Sequence, residues 1–283
     1  MPVALVSDNC HYLPDGIAER LALHSVSLYV QQPEGTLRES EILDYGSYYG
    51  SLESATELPT TSQPSIGDFL AVYEPLLEAG NEIVSIHLSG GLSGTVRAAE
   101  QAVAQLGDAG SRVHVLDSVT ACGAQGLILM AAAAAISVGG DARAAIAQAQ
   151  LAHAELEFLF ALDTLEYLRR GGRIGGAQAW IGSALQIKPI LSVESQIEAV
   201  ERVRTSRRAV ARLVRLMHEL KQAGRDAWVV QHTRDPERAQ LLVEQGREIF
   251  QSEPAFVSEI GPVIGTHVGP GLLGVGAVPT RLI

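Results

Sequence analysis

The chain has 283 residues, 47% hydrophobic and 19% charged, which describes a globular protein with room for one large domain or two ordinary ones. Its net charge of −11 argues against nucleic acid and anionic membrane surfaces as default partners. Two cysteines, Cys10 and Cys122, with no CxxC spacing and no Cys/His cluster, exclude a disulfide framework and a structural zinc site and suit a reducing cytoplasm.

The opening MPVALVSDNCHYLP has no basic n-region and soon turns polar, so no secretory leader is expected. Within it, Val3–Asp8 is a short apolar run ending in polar residues, the pattern of a buried parallel strand. Residues 31–60 are polar and poorly periodic and read as an arm or insertion. Ser65 then opens a helix, with Asp68 as its capping-box partner and Ile66, Phe69, Leu70, Tyr73 and Leu77 as its apolar face. Strands over Glu82–Ser89 and Arg112–Ser118 alternate with helices over Thr95–Leu106 and Ala124–Val138. The apolar stretch Leu127–Val138 falls far short of the ~20 residues a membrane span needs, so it reads as a buried helix and no transmembrane segment is expected. This alternation predicts an α/β domain over residues 1–153, with a mostly parallel sheet and flanking helices.

The second half changes character. Leu156–Leu162, Ile187–Val193, Ile197–Thr205, Ala227–Thr233 and Val263–Gly269 are strand candidates, with helices over Arg207–Ala223 and Pro236–Phe250. A hairpin at Glu194–Gln196 favours an α+β domain over residues 154–283 with a mainly antiparallel sheet.

Four stretches carry chemistry. LPTTSQPS (Leu58–Ser65) crowds four hydroxyls and an amide between and beside two prolines, a mixture foreign to a buried strand or helix interior. In IHLSGGLSGT (Ile86–Thr95) a strand gives way to a Gly/Ser loop that opens a helix. Its free N–H groups, the helix dipole and the hydroxyls of Ser89, Ser93 and Thr95 suit an anion; a capped turn at a sheet edge is the bland alternative. The loop is not a P-loop, since it lacks the lysine, nor a nucleophile elbow, since Thr95 stands where GxSxG needs glycine.

DTLEYLRRGGRIGG (Asp163–Gly176) has Asp163 and Glu166 as a capping box and a double glycine as its stop. Its Arg169, Arg170 and Arg173 form either a solvated helix end or a clamp for carboxylate or phosphate. IGPVIGTHVGPGLLG (Ile260–Gly274) places His267 near a strand end before Gly-Pro-Gly. Asp8 is either a cap or a site residue, His87 is mainly structural, and the Arg207–Arg215 run is a solvated face.

Together with IKPIL (Ile187–Leu191) and VRTSRRA (Val203–Ala209), these segments occur in the order and at about the separations of the DegV family, which the whole chain resembles. The resemblance implies a two-domain α/β protein that binds a long-chain fatty acid between its domains, as do the fatty-acid-binding subunits of bacterial fatty acid kinase. On the matching motifs it implies that Thr61, with Ser62 beside it, and Ser93, with Gly94, hold the carboxylate, that His267 shares their hydrogen-bond network, and that Arg170 lies close by. Arg202 and Arg204 lie where some members face the kinase. The chain departs from the family at SDNCHYLP (Ser7–Pro14), where Cys10-His11 is unusual, and at SGGLSGT, where a bulkier pair than Gly90-Gly91 is common.

No Walker A or kinase glycine-loop signature is visible, so the resemblance implies a carrier without cofactor, working with a separate ATP-binding catalytic subunit, inactive alone and feeding phospholipid synthesis. The alternatives are a serine hydrolase, with Ser93 as nucleophile, His267 as base and Asp8 or Asp117 as orienter, and a lipid-binding or sensory module with no kinase partner.

Overall fold

A computed structural model of the chain describes residues 1–33, 35–181 and 187–283. Its first half runs β1 (Val3–Asp8), α1 (Asp15–Arg20), β2 (Leu23–Val26), β3 (Tyr29–Gln32), β4 (Gly35–Arg38), α2 (Tyr45–Ser54), β5 (Thr60–Ser62) and α3 (Ile66–Glu78). There follow β6 (Glu82–His87), α4 (Thr95–Gln105), β7 (Val113–Asp117), α5 (Cys122–Ser137) and α6 (Ala142–Glu155). The second half holds β8 (Glu157–Ala161), α7 (Glu166–Arg170), β9 (Lys188–Glu194), β10 (Gln196–Val203) and α8 (Ser206–Gln222). It ends with β11 (Ala227–His232), α9 (Pro236–Phe250), β12 (Phe256–Glu259), α10 (Pro262–Val268) and β13 (Leu273–Val278).

The apolar runs of the first half make a parallel sheet in the order β2-β1-β6-β7. Those of the second make a six-stranded sheet, β10-β9-β8-β13-β11-β12, antiparallel except where β11 meets β12. The expected fold class is therefore the observed one. Helices separate and cover the sheets in layers. On the outer face of the first sheet, α3 and α4 pack Phe69, Tyr73, Ala98 and Ala102 against Val6 and Ile83. Between the two sheets lie α5 and α6, whose Leu127, Leu129, Ala145 and Ala149 meet Val84 and Ile86 on one side and Val229 and Val278 on the other. A helix buried on all sides can have no polar face, which is why α5 is written almost wholly in alanine and aliphatic residues. On the far face of the second sheet, α8 and α9 bring Leu213, Leu216 and Leu242 onto Trp228, Val230 and Val275.

Two expectations are corrected. Within the arm, β3 and β4 form a hairpin that β5 extends into a small antiparallel sheet, and α2 packs Tyr48 and Tyr49 against α10; Glu34 lies outside the described residues. Val263–Gly269 is the helix α10 and its end rather than a strand, so His267 lies in a last helical turn. Pro262 at the first turn and Gly269 at φ +72° supply its start and stop. The Asp163–Glu166 capping box does not form, because the Asp163 carboxylate pairs with Lys188 and Arg238 while Glu166 pairs with Arg169. By contrast, the Ser65–Asp68 box forms as expected, with Ser65 Oγ accepting from the Asp68 N–H at 3.1 Å.

Candidate binding cavity

The hydroxyls of the octapeptide divide their work. Its prolines, which cannot donate to a ladder, bracket the three-residue edge strand β5. Along that strand Thr60 turns outward and donates to the Gln31 side chain at 3.0 Å, while Thr61 and Ser62 line a cavity together with Gln63. Ser65 is spent on the cap of α3. Thr61 reaches across to α10, where its Oγ1 shares a 2.7 Å hydrogen bond with His267 Nε2.

α10 is set in place by the arm. Glu39, buried just after β4, accepts from the Val263 N–H at 2.6 Å and from the Tyr12 hydroxyl at 2.9 Å, and pairs with the Asn9 amide. The same Tyr12 oxygen accepts the Ile264 N–H at 3.2 Å. The carboxylate so caps the positive end of a seven-residue helix whose other end carries His267. Burial nevertheless raises Glu39 to about 7, against the pull of these hydrogen bonds and helped by the nearby charge of Asp8.

His267 is held neutral. Burial, with Arg173 adding to it, lowers its pKa to about 4, and its buried Nδ1 has no partner among the described residues. Ser93 follows the Gly/Ser loop, its Oγ 2.8 Å from Thr95 Oγ1 at the start of α4. The loop is crosslinked to the tip of the β9–β10 hairpin: Ser89 Oγ donates to the Ser195 carbonyl at 2.5 Å, and Ser195 N–H donates to the Val119 carbonyl at 2.9 Å. A Cβ on Gly91 would lie 2.4 Å from the Ser195 carbonyl oxygen, so the departure at Gly90-Gly91 goes with a close approach only glycine permits.

The cavity has a polar end and an apolar length. Thr61, Ser62, Gln63, Ser93, His267 and Arg173 supply most of the polar lining, and Leu88, Phe160, Leu168, Val193, Ile197 and Ile260 are among its apolar wall. Gly94 abuts the Gln63 side chain, at 2.9 Å from where a Cβ would stand. Of the three clustered arginines, Arg173 lines the cavity, whereas exposed Arg170 donates to the Thr56 carbonyl at 2.7 Å and Arg169 pairs with Glu166. Gln63 and Arg173 thus join a lining for which the motifs single out Arg170; their signal is position, inside the octapeptide and after the double glycine. Arg202 and Arg204 lie elsewhere, exposed on and just past the edge strand β10, with the Arg202 guanidinium 5.3 Å from the centre of the Trp180 ring.

The other sequence candidates are structural. Asp8 is fully buried and accepts from the N–H groups of Leu88 at 2.8 Å and Cys10 at 3.0 Å; it also contacts His87 Nδ1 at 3.1 Å. His87 Nε2 continues to Ser85, and Ser85 to Tyr73. Cys10 and His11 are buried and do not line the cavity. The hydrolase triad is not assembled, since Asp8 serves His87, Asp117 accepts from Gly90 and Val119, and His267 Nε2 is engaged with Thr61. Among the described residues no helix is long and apolar enough to cross a membrane, and no group of three or more His, Cys, Asp or Glu is placed to hold a metal.

A family model described as "Uncharacterised protein, DegV family" matches residues 2–280. Protein DegV of Bacillus subtilis is 36% identical over 279 residues, 97% of this chain and 98% of its own. A DegV domain-containing protein of Streptomyces coelicolor is 39% identical over 276 residues, 96% of this chain and 97% of its own. Among solved structures, a DegV family protein of Thermus thermophilus, described for its fatty acid binding, superposes with a TM-score of 0.89 at 32% identity, covering 99% of this chain and 100% of that one. DegV of Bacillus subtilis, described as a fatty acid binding protein, does so with a TM-score of 0.87 at 35% identity, covering 98% and 99%.

Proposed function

The chain belongs to the DegV family, and on that premise we propose that it binds a long-chain fatty acid in this cavity and presents its carboxylate to a separate ATP-dependent kinase subunit. The observation that carries the reading is the division of the cavity into an apolar length and an end lined by neutral hydrogen-bonding side chains and one arginine, Arg173. Burying about 15 methylenes at ~0.8 kcal/mol each supplies on the order of 12 kcal/mol before entropic costs, so the tail sets affinity. The head is the problem, because a carboxylate without partners in an apolar site costs several kcal/mol or takes up a proton.

Hydroxyls of Ser62 and Ser93, the backbone at Gly94 and the one proton the Thr61–His267 pair has free (the Thr61 O–H when Nε2–H donates to it, or Nδ1–H when Thr61 donates to Nε2) meet that need with little added charge. Arg173, and Arg170 farther out, bias the mouth toward an anion. Neutral donors leave a carboxylate lone pair free to attack the γ-phosphate of ATP, which a bidentate arginine would tie down. ATP and magnesium belong to the partner subunit; as the carboxylate oxygen bonds to the γ-phosphorus the bridge to the β-phosphate breaks, giving ADP and an acyl phosphate destined for phospholipid synthesis. In this reading the protein is cytoplasmic, has no catalytic activity of its own, and takes its ligand between units of residues 1–153 and 154–283; that boundary falls in the last turn of α6. Mass spectrometry under native and then denaturing conditions tests the binding: a fatty acid should accompany the folded chain and leave on denaturation. A native mass equal to that of the bare chain, even after incubation with fatty acid, would end the reading.

A further inference from the structure

The cavity shares a wall with a groove on the protein surface. The groove opens where β8 and β9 diverge: these strands pair only at Phe160–Leu191 and Ala161–Ile190, while β8 continues along β13 down to Glu157. Ser192, Glu194, Val200 and Leu159 line it, and Thr120, Phe158 and Val193 line both spaces. Phe158 is the largest of the three shared residues. Its ring sits over small neighbours: a Cβ on Gly276 would lie 2.3 Å from it, one on Gly274 2.9 Å and one on Gly123 3.1 Å. The glycines of β13 and of the α5 start are what give the ring its seat.

Phe158 also stands away from the Thr61–His267 end of the cavity. β8 carries Phe158 and Phe160 on the cavity side, and β13, which follows the α10 end that carries His267, pairs Leu273 with Ala161, Gly274 with Phe160 and only then Gly276 with Phe158. Two strand residues span about 6.6 Å, so Phe158 lies beyond Phe160 from the head group.

Resting on the fatty-acid reading above, we propose that Phe158 is the tail stop, the residue that sets the longest acyl chain held, and that the β8–β9 groove behind it is where a longer chain would run if the ring were removed. The experiment loads full-length wild type, Phe158→Ala, Phe158→Leu, Val200→Trp and the Phe158→Ala/Val200→Trp double variant with an equimolar mixture of saturated fatty acids of graded chain length. The bound species are then quantified by mass spectrometry after denaturation.

Wild type should show a cut-off on the long side. Phe158→Ala should move it to longer chains, with relative retention gaining about fourfold per added methylene accommodated. Phe158→Leu, which keeps apolar packing, should move it less but in the same direction, and it carries the test if the alanine variant does not fold. Val200→Trp alone should leave the profile unchanged, because Val200 lines the groove and not the cavity, and in the double variant it should pull the cut-off back. Fatty acid bound by wild type and by the Phe158 variants with one common cut-off would overturn the tail stop. A double variant that matches Phe158→Ala would overturn the route through the groove. Wild type that takes up no fatty acid would instead overturn the fatty-acid reading itself.

Discussion

Thr61 and His267 are 206 positions apart in the chain, yet Thr61 Oγ1 and His267 Nε2 are 2.7 Å apart in the fold. Two independent devices produce the contact. The ladder with β3 places Thr61 opposite Val30. The arm's Glu39 caps α10 so that its last turn presents the histidine. Neither device alone would bring a hydroxyl and an imidazole to the same end of an apolar cavity.

The first prediction follows from that pair. Thr61→Val keeps the shape of the side chain and removes its hydroxyl, and Ser93→Ala removes another of the hydroxyls proposed for the carboxylate. Each should weaken fatty acid retention by about 1–3 kcal/mol, roughly five- to 150-fold; Ser93→Ala should change thermal unfolding of the unliganded chain little, whereas Thr61→Val should also lower it, because His267 Nε2 loses its partner. Competition for a fluorescent fatty acid measures it. Wild-type affinity in both variants would remove these hydroxyls from the head-group site.

Glu39 gives a prediction in pH. Its carboxyl is raised to about 7 in the fold, so between the unfolded value near 4.5 and 7 the folded chain holds a proton that the unfolded chain has lost. Its contribution to stability is full below about 4.5 and falls as pH rises to 7, with a slope of at most about 1.4 kcal/mol per pH unit. His11 and His267, both lowered to about 4 by burial, act in the opposite sense, and stability falls as pH drops from about 6.5 toward 4. Comparing wild type with Glu39→Gln isolates the first effect, because the histidines are common to both. The difference in unfolding free energy, wild type minus variant, should decline from pH 4.5 to 7; a flat difference would mean that Glu39 is ionised throughout.

What the sequence makes legible is whatever follows from local pattern. The apolar runs of β1, β6 and β11 and the capping box at Ser65–Asp68 announce themselves within a few residues. β13 does not, because Leu-Gly-Val-Gly-Ala-Val reads weakly as a strand; its glycines serve a distant ring, Phe158, that no local pattern reveals. α10 reads as a strand because its start is fixed from outside, by a glutamate more than two hundred positions away. The site shows the same limit. Hydroxyl crowding marks Thr61 and Ser93, but Arg170 and Arg173 share one arginine cluster, and only the turn at Gly171–Gly172 decides which of them lines the cavity.

Gly91 should tolerate no side chain. A Cβ there would lie 2.4 Å from the Ser195 carbonyl oxygen and 2.6 Å from its Oγ, at the point where the Ser89 hydroxyl ties the loop to the hairpin tip. Gly91→Ala should destabilise the fold by roughly 1–3 kcal/mol in chemical denaturation. Gly16→Ala is the control: the Cβ that alanine adds there would meet nothing within 4 Å, the position lies within α1, and the change should be neutral or gain up to about 1 kcal/mol. Equal effects of the two substitutions would deny the close approach.

Ser93 should be inert toward serine-directed fluorophosphonates, and the purified chain should not cleave acyl esters. Its hydroxyl contacts Thr95, the base it would need is engaged with Thr61, and no carboxylate meets His267 Nδ1 among the described residues. Stoichiometric labelling of Ser93 that disappears in His267→Ala would restore the hydrolase.

The last prediction concerns the kinase partner. With ATP, magnesium and a compatible fatty acid kinase catalytic subunit, the bound acid should be phosphorylated, and without that subunit it should remain unchanged. Arg202 and Arg204 are exposed on and beside an edge strand of a chain whose net charge is −11, so they form a local exception suited to an acidic patch. The stacking of Arg202 near Trp180 limits its freedom to reorient, which favours a preformed contact over a mobile one. Arg202→Glu and Arg204→Glu should slow phosphorylation and flatten its salt dependence, because rim charges act chiefly on the rate of encounter. Fatty acid loading should stay at the wild-type level, since neither arginine lines the cavity. Lipid-loading and phosphorylation assays run side by side separate the outcomes. Unchanged phosphorylation in both variants would remove this strand from the interface, and a parallel loss of lipid would assign the arginines to the fold.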